Sequence, residues 1–220
     1  MIAEQGPITN AARSTMLQKV ALLTRGVAND TIVNGILYRE GDVSYDTVKT
    51  RNFQTLVVRG NLTIDTNIGN TTTTDGKGII VLANSAGVGG NLIIGDGVRF
   101  IHALVFAEGT LRGSSTLASQ LNQSIQLVIK GSLFSRNTIG GSADSTNSNS
   151  STLTRLYLAG GTKTTDLNAA FVQDLNNVRN GIEYNPIDGS PLNPYKGYSD
   201  PFIIDYDPAL RLLGLPGFTN

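Results

Sequence analysis

His102 is the only histidine in the chain, and there is no cysteine. A Ser–His–Asp relay would have to run through that one imidazole. It stands directly before the apolar run Ala103-Leu104-Val105-Phe106, and no Gly-x-Ser-x-Gly elbow occurs, so a structural or surface place is expected for it. One histidine and no thiol exclude a metal cluster of histidines or cysteines within a single chain. Asp65 and Asp75 bracket a Thr-rich stretch, and Asp96 lies in Gly95-Asp96-Gly97. Calcium takes several clustered oxygens, and this spacing is not that of an EF-hand loop. No metal or cofactor is expected. Cleavage of polysaccharides needs a carboxylate pair, or basic groups beside a carboxylate. Tyr38, Arg39, Glu40 and Arg99, Glu108, Arg112 are the residues for it, but ordinary surface charge explains them, and no catalytic residue is assigned. Ala86-Gly87-Val88-Gly89-Gly90 has the glycine density of a phosphate cradle. Such a cradle must open a helix, whereas Leu92-Ile93-Ile94 reads as a strand, so a chain corner is expected. Asn29, Asn61, Asn70, Asn122 and Asn149 head Asn-x-Ser/Thr sequons. Asn70 and Asn149, in two polar stretches, are the expected glycosylation acceptors in a host that glycosylates.

Composition narrows the classes further. The chain has 220 residues, 17 basic against 17 acidic, with 15% charged and 25 glycines. Such balance supplies no electrostatic footprint for nucleic acid. No run of about 20 apolar residues is present to span a bilayer as a helix. Absent cysteines rule out a disulfide scaffold. More than a third of the residues are Gly, Asn, Ser or Thr, a texture of extracellular bacterial surface proteins. Met1 is not followed by a basic start and an apolar run, which fits a cytosolic chain or a processed or trimmed form, and the composition favours the second.

The elements that must position these residues fall into three stretches. Residues 9–25 read as a helix, with Thr9 or Asn10 as N-cap, Ala12, Met16, Val20 and Leu23 on one stripe, and Gly26 as the stop. Short apolar clusters then recur, each with a glycine followed by a second apolar pair. Leu56-Val57-Val58-Arg59-Gly60-Asn61-Leu62 and Leu127-Val128-Ile129-Lys130-Gly131-Ser132-Leu133 are the closest pair. Aligned glycines at 35, 60, 90, 109, 131 and 160 give a repeat of roughly 20 residues with polar inserts, the pattern of a solenoid. The predicted architecture is mainly β: a single-stranded parallel β-helix of about six coils with glycine corners. Leu62, Leu92, Leu111 and Leu133 are expected in one interior column. An antiparallel sandwich is the competing arrangement. Residues 166–179 read as a second helix with Leu167, Phe171, Leu175 and Val178 on one face. An extended Pro- and Tyr-rich tail follows, in which Phe202-Ile203-Ile204-Asp205-Tyr206 is a strand candidate. The expected divisions are 1–28 for an N-terminal helix or cap, 29–162 for the β-helix, and 163–220 for a helix plus a tail packing on the rod or a neighbouring subunit.

Gly90-Asn91-Leu92-Ile93-Ile94-Gly95-Asp96, Ala103-Leu104-Val105-Phe106-Ala107-Glu108-Gly109-Thr110-Leu111 and Leu127-Val128-Ile129-Lys130-Gly131-Ser132-Leu133, with the ending Tyr206-Asp207-Pro208-Ala209-Leu210 and Leu215-Pro216-Gly217-Phe218, carry a resemblance. The chain resembles the small right-handed β-helix domains of surface and pilus-associated proteins from uncultivated small-genome bacteria, over about residues 30–218. It is similar in architecture to the bactofilins, departing from them in its flanking helices and long tail. The resemblance implies a structural protein without enzymatic activity.

The function expected is therefore a non-enzymatic subunit of an extracellular filament or pilus-like surface assembly. Its partner is a second copy of itself, because the open strand edges of a solenoid polymerise unless capped. Phe202, Ile203, Ile204 and Tyr206 form the expected subunit-interface tail. The alternative is an adhesin or module for cell-surface glycans, with Tyr184, Tyr195, Tyr198 and Tyr206 stacking on sugars. Anchoring of the tail is the preferred role for those tyrosines. A polysaccharide lyase or hydrolase is the least favoured reading, and no nucleic acid or membrane-spanning segment is expected.

Overall fold

The computed structural model describes residues 10–69, 76–95, 97–114, 127–135 and 202–218. These are mainly strands. A helix, α1 (Asn10–Leu23), precedes β1 (Thr31–Val33), β2 (Ile36–Glu40), β3 (Val43–Ser44), β4 (Thr55–Arg59), β5 (Leu62–Ile64), β6 (Lys77–Leu82), β7 (Leu92–Ile94), β8 (Phe100–Ala107), β9 (Leu111–Gly113), β10 (Leu127–Phe134) and β11 (Phe202–Asp205), and a single turn, α2 (Ala209–Leu212), follows. None of the described helices is long and apolar enough to cross a membrane.

The strands form two sheets. The larger has the order β1-β2-β4-β6-β8-β10-β11 and the smaller β3-β5-β7-β9. Among the described residues every strand pairing is parallel except β1 with β2. That exception is a hairpin turned by Asn34 and Gly35, whose φ values of 50° and 77° suit a two-residue turn matching strand twist. Gly35 is thus a hairpin residue and not one of the repeated corners. In chain order, β2, β4, β6 and β8 of the large sheet are each followed across a corner by β3, β5, β7 and β9 of the small one.

Gly41, Gly60, Gly90 and Gly109 occupy the equivalent corners. The Gly90 N–H donates to the Gly60 carbonyl at 2.7 Å, and the Gly109 N–H to the Gly90 carbonyl at 2.8 Å. A Cβ at Gly60 would stand 2.3 Å from the Gly41 oxygen, so close backbone approach imposes glycine there.

Side chains from both sheets meet in one interior cluster. Val43, Leu62, Leu92 and Leu111 are register neighbours in the small sheet and are all buried. Leu133, expected in the same column, instead pairs with Val105 in the large sheet. The reason is that β10 runs straight through Gly131, which lies opposite Ala103 with a Cβ position 2.0 Å from the Ala103 oxygen. The resemblance between the Gly60 and Gly131 motifs conceals a corner in one and a mid-strand close approach in the other. Tyr45 and Phe53, edge to face at 6.5 Å, fill the interior beside β3.

The other face of the large sheet is buried too. Tyr38, Val57, Ile80 and Phe106 are register neighbours and pack against Val20, Met16 and Leu17 of α1. The helix therefore lies across four strands rather than over one end. Of the predicted stripe, Val20 is buried and Met16 half-buried, while Leu23 is largely solvent-facing. Two-sided burial explains why Leu56-Val57-Val58 and Ile79-Ile80-Val81-Leu82 are continuous apolar runs. The small sheet alternates instead, as in Leu62-Thr63-Ile64. The cluster at Leu156-Tyr157-Leu158-Ala159-Gly160, the helix expected over 166–179 and the tail as far as residue 201 lie outside the described residues.

Candidate functional site

Side-chain chemistry concentrates in two places, a ladder along the corners and a clasp on the outer face of the large sheet. The ladder begins one residue after each corner glycine, at Asp42, Asn61, Asn91 and Thr110. The Asp42 Oδ1 accepts from the Asn61 backbone N–H at 2.9 Å and its Nδ2 at 3.1 Å. The Asn61 Oδ1 accepts from the Asn91 Nδ2 at 2.9 Å. The Asn91 Oδ1 in turn accepts from the Thr110 N–H at 2.9 Å and Oγ1 at 3.0 Å. Each side chain thereby satisfies polar groups of the next repeat. The signal was present in the recurring Gly-(Asp/Asn/Thr)-(Val/Leu) triplets, but it emerges only once Gly41 replaces Gly35 in the alignment. Asn61 heads a sequon, yet its amide is committed to this ladder.

The clasp joins sequence-distant groups. His102 on β8 and Lys130 on β10 are register partners and project to the same side. Asp207, between β11 and α2, reaches both. Its Oδ2 lies 3.0 Å from His102 Nε2 and 3.4 Å from Lys130 Nζ, and its Oδ1 accepts the Ala209 N–H at 2.9 Å. Burial pushes the Asp207 carboxyl up, but the Ala209, His102 and Lys130 donors outweigh it and hold the group below the usual carboxylate range. An ionised carboxylate only accepts, so His102 is the donor in this bond through Nε2–H. Nδ1 is buried without a partner among the described residues. His102 is 1% exposed, a poor position for a general base that must meet a substrate.

Beside the clasp, Leu210 fills a socket made by missing side chains. A Cβ at Gly76 would lie 1.8 Å from Leu210 Cδ2, and one at Gly131 2.8 Å from Cδ1. Leu215 and Phe218 continue this packing against Leu104. The Thr55 Oγ1 donates to the Pro216 carbonyl at 2.8 Å. β11 completes the seat by adding in parallel to β10, from Leu127 with Phe202 to Lys130 with Asp205. Of the expected interface tail, Phe202, Ile203 and Ile204 are thus in a strand of this chain's own sheet. Ile204 packs on the interior cluster, and Tyr206 is half-buried just past the strand.

The six residues weighed for polysaccharide chemistry do not form one carboxylate site. The Tyr38 hydroxyl donates to Glu40 Oε1 at 2.7 Å. Burial, the Glu40 bond and the Glu40 charge push that phenol up to about 12 against the pull of Arg59. Arg39 pairs with Asp30 at 2.8 Å, and Arg51 joins the same carboxylate. Partial desolvation pushes Asp30 up, but Arg39 and Arg51 hold it below its usual range. Glu108 is turned toward the corner, where Oε2 accepts the Ala83 N–H at 2.9 Å and Oε1 accepts Arg13 Nε at 2.8 Å. That ion pair fastens α1 to the sheets. Arg112 sits on β9 opposite Ile93. The Arg99 N–H donates to Asn67 Oδ1 at 2.7 Å.

The glycine loop is a corner insert, and the amides of Ala86, Gly87, Val88 and Gly90 are taken. Asn84 Oδ1 accepts the Ala86 and Val88 N–H groups, both at 3.0 Å, while the Gly87 N–H donates to the Asn84 carbonyl at 2.9 Å. Asp65 receives the Ser44 hydroxyl at 3.0 Å. Asn29 Oδ1 accepts the Glu40 N–H at 2.9 Å. Asp75, Asp96, Tyr184, Tyr195, Tyr198 and the sequons at Asn70, Asn122 and Asn149 lie outside the described residues.

No family model, curated protein or solved structure matches the chain.

Proposed function

We propose that this chain is a non-enzymatic structural protein, a β-helical subunit that stacks with copies of itself into an extracellular filament or pilus-like surface assembly. The alternation of the parallel strands β2 to β9 between two sheets supports reading them as successive coils of a solenoid. The low charge and small polar composition support the extracellular setting. One observation carries the self-assembly reading. Among the described residues β1 is the outer strand of the large sheet, and its Ile32 and Val33 are 37% and 40% exposed. Ile32 pairs with Leu37, so it prolongs the interior column Leu37, Leu56, Ile79, Val105 to the edge of the sheet. Edge strands that must remain single are blunted by lysine, proline or inward charge, and β1 reads Thr-Ile-Val. An apolar edge that continues a core column favours a second copy as its cover. The buried His102 and the occupied carboxylates favour a structural role over catalysis.

The test is negative-stain electron microscopy with sedimentation velocity on the purified chain and on Ile32→Lys/Val33→Lys. The wild type is expected to give elongated assemblies, and the variant monomers with unchanged circular dichroism. A wild type that stays monomeric at high concentration would overturn the reading.

A further inference from the structure

The hairpin geometry of β1 fixes which of its groups face outward. Val33 and Ile36 flank the two-residue turn at Asn34 and Gly35. Residues flanking such a turn hydrogen-bond to each other, the next pair does not, and the pair after that does again. Val33 and Thr31 therefore spend their N–H and C=O groups on β2, and those of Ile32 point away from it. On one side of Ile32, the Asp30 N–H donates to the Tyr38 carbonyl at 2.9 Å. The Asp30 carbonyl accepts Arg51 Nη2 at 3.2 Å. On the other side the chain turns. Ile32 is thus the residue of β1 with both backbone groups directed outward. Its side chain shares the interior face with Leu37, and Val33 shares the opposite face with Ile36.

We infer that β1 pairs antiparallel with β1 of a second copy, about a two-fold axis through Ile32. The inference rests on the self-assembly reading above and gives that edge its partner strand and register. An edge whose outward residue offers one donor and one acceptor is self-complementary. The Ile32 N–H of each copy donates to the Ile32 carbonyl of the other, as in a hydrogen-bonded antiparallel pair. The interior columns then join, with Leu56, Leu37 and Ile32 of one copy running into Ile32, Leu37 and Leu56 of the other. In this register Thr31 falls opposite Val33 of the second copy, and Asp30 opposite Asn34. The Asp30 carboxylate, which Arg39 and Arg51 share, thereby meets a neutral amide. An axis through Asp30 would instead set two carboxylates directly against each other, which is destabilising. A two-fold joint closes at two copies, so the joined pair is the unit from which a longer assembly is built.

The chain has no cysteine, so single thiols report the axis. Opposed residues of a hydrogen-bonded antiparallel pair have Cα atoms about 5.5 Å apart, within disulfide reach. Diagonal neighbours stand roughly 7–8 Å apart, beyond it. Full-length Thr31→Cys, Ile32→Cys and Val33→Cys chains are oxidised mildly, each alone and in pairwise mixtures, and viewed by electron microscopy. The inference expects Ile32→Cys to cross-link with itself, and Thr31→Cys with Val33→Cys. Each yield should exceed that of Thr31→Cys alone or Val33→Cys alone by about tenfold or more. The Thr31→Cys and Val33→Cys mixture leaves Ile32 in place, so it reads the register independently of the Ile32→Cys chain. Equal yields from every combination, or no cross-link in the two expected ones, would overturn the two-fold joint. Filaments without those two cross-links would overturn the joint and leave the assembly reading standing. Dimers bearing both cross-links, with no filaments, would uphold the joint and sink the filament reading.

Discussion

At the scale of single residues, Asp207 is the group on which most converges. It binds His102 and Lys130 through one oxygen and a backbone amide through the other. Its pKa is lowered in the folded state, so it binds fewer protons folded than unfolded as pH passes through the carboxylate range. The stability it contributes is therefore complete above its unfolded value near 4 and is lost as pH falls through the lower folded value. Asp207→Asn should destabilise the protein by about 1–2 kcal/mol at neutral pH, the range for hydrogen bonds to charged groups reduced by solvent screening. The difference should shrink as pH drops below 4. Urea titrations of both proteins at pH 7 and pH 3 check this, and an equal gap at both would assign the effect to packing. The place of His102 beside an apolar run was legible in the sequence, though a structural and a surface position both fitted it, and the structure buries it. Its partner was not legible, because 105 residues separate the two, and no periodicity reports a pairing between a strand and a distant tail.

At the scale of elements, glycine positions decide whether a strand turns or continues. The sequence motifs around Gly60 and Gly131 are nearly superimposable, and both glycines have large positive φ, 156° and 145°. Register separates them: Gly60 opens a corner, and Gly131 passes over Ala103 inside β10. That distinction rests on what the neighbouring strand presents, which the local sequence does not contain. The corner itself, the Leu62–Leu92–Leu111 column and the strand at β11 were all readable, because they depend on local alternation and turn residues. The contrast gives a graded prediction. Gly131→Ala should cost about 3 kcal/mol or more, since the new Cβ meets backbone and Leu210 and must displace one of them. Gly87→Ala, at φ 75° with open space around it, should cost only about 1–2 kcal/mol for the left-handed conformation. Asn91→Ala should cost about 1–3 kcal/mol, because it strands the Thr110 amide beneath the corner. Denaturant midpoints rank the three, and a Gly87→Ala cost equal to that of Gly131→Ala would refute the steric account.

For the molecule as a whole, the decisive feature is that the large sheet is buried on both faces while the small one alternates. The large sheet alone would expose the column Tyr38, Val57, Ile80, Phe106 to solvent. Here α1 and the closing segment 202–218 cover it, and Arg13 with Glu108 pins the helix in place. The runs Leu56-Val57-Val58 and Ile79-Ile80-Val81-Leu82 carry that two-sided burial in their composition, but they do not say which element supplies the second cover. That depends on where a helix more than 30 residues upstream comes to rest. The cover also separates two kinds of association. The stacking we propose through the β1 edge should survive only while the outer column stays hidden. A charge at Val20, which is fully buried in that cluster, would be unpaired in an apolar site and should weaken docking of α1 by several kcal/mol. Val20→Asp should therefore bind a hydrophobic dye and form irregular aggregates. Ile32→Lys/Val33→Lys should bind none and remain monomeric. Dye fluorescence read beside electron micrographs distinguishes the outcomes. Ordered filaments from Val20→Asp without dye binding would mean that α1 is dispensable for covering the sheet.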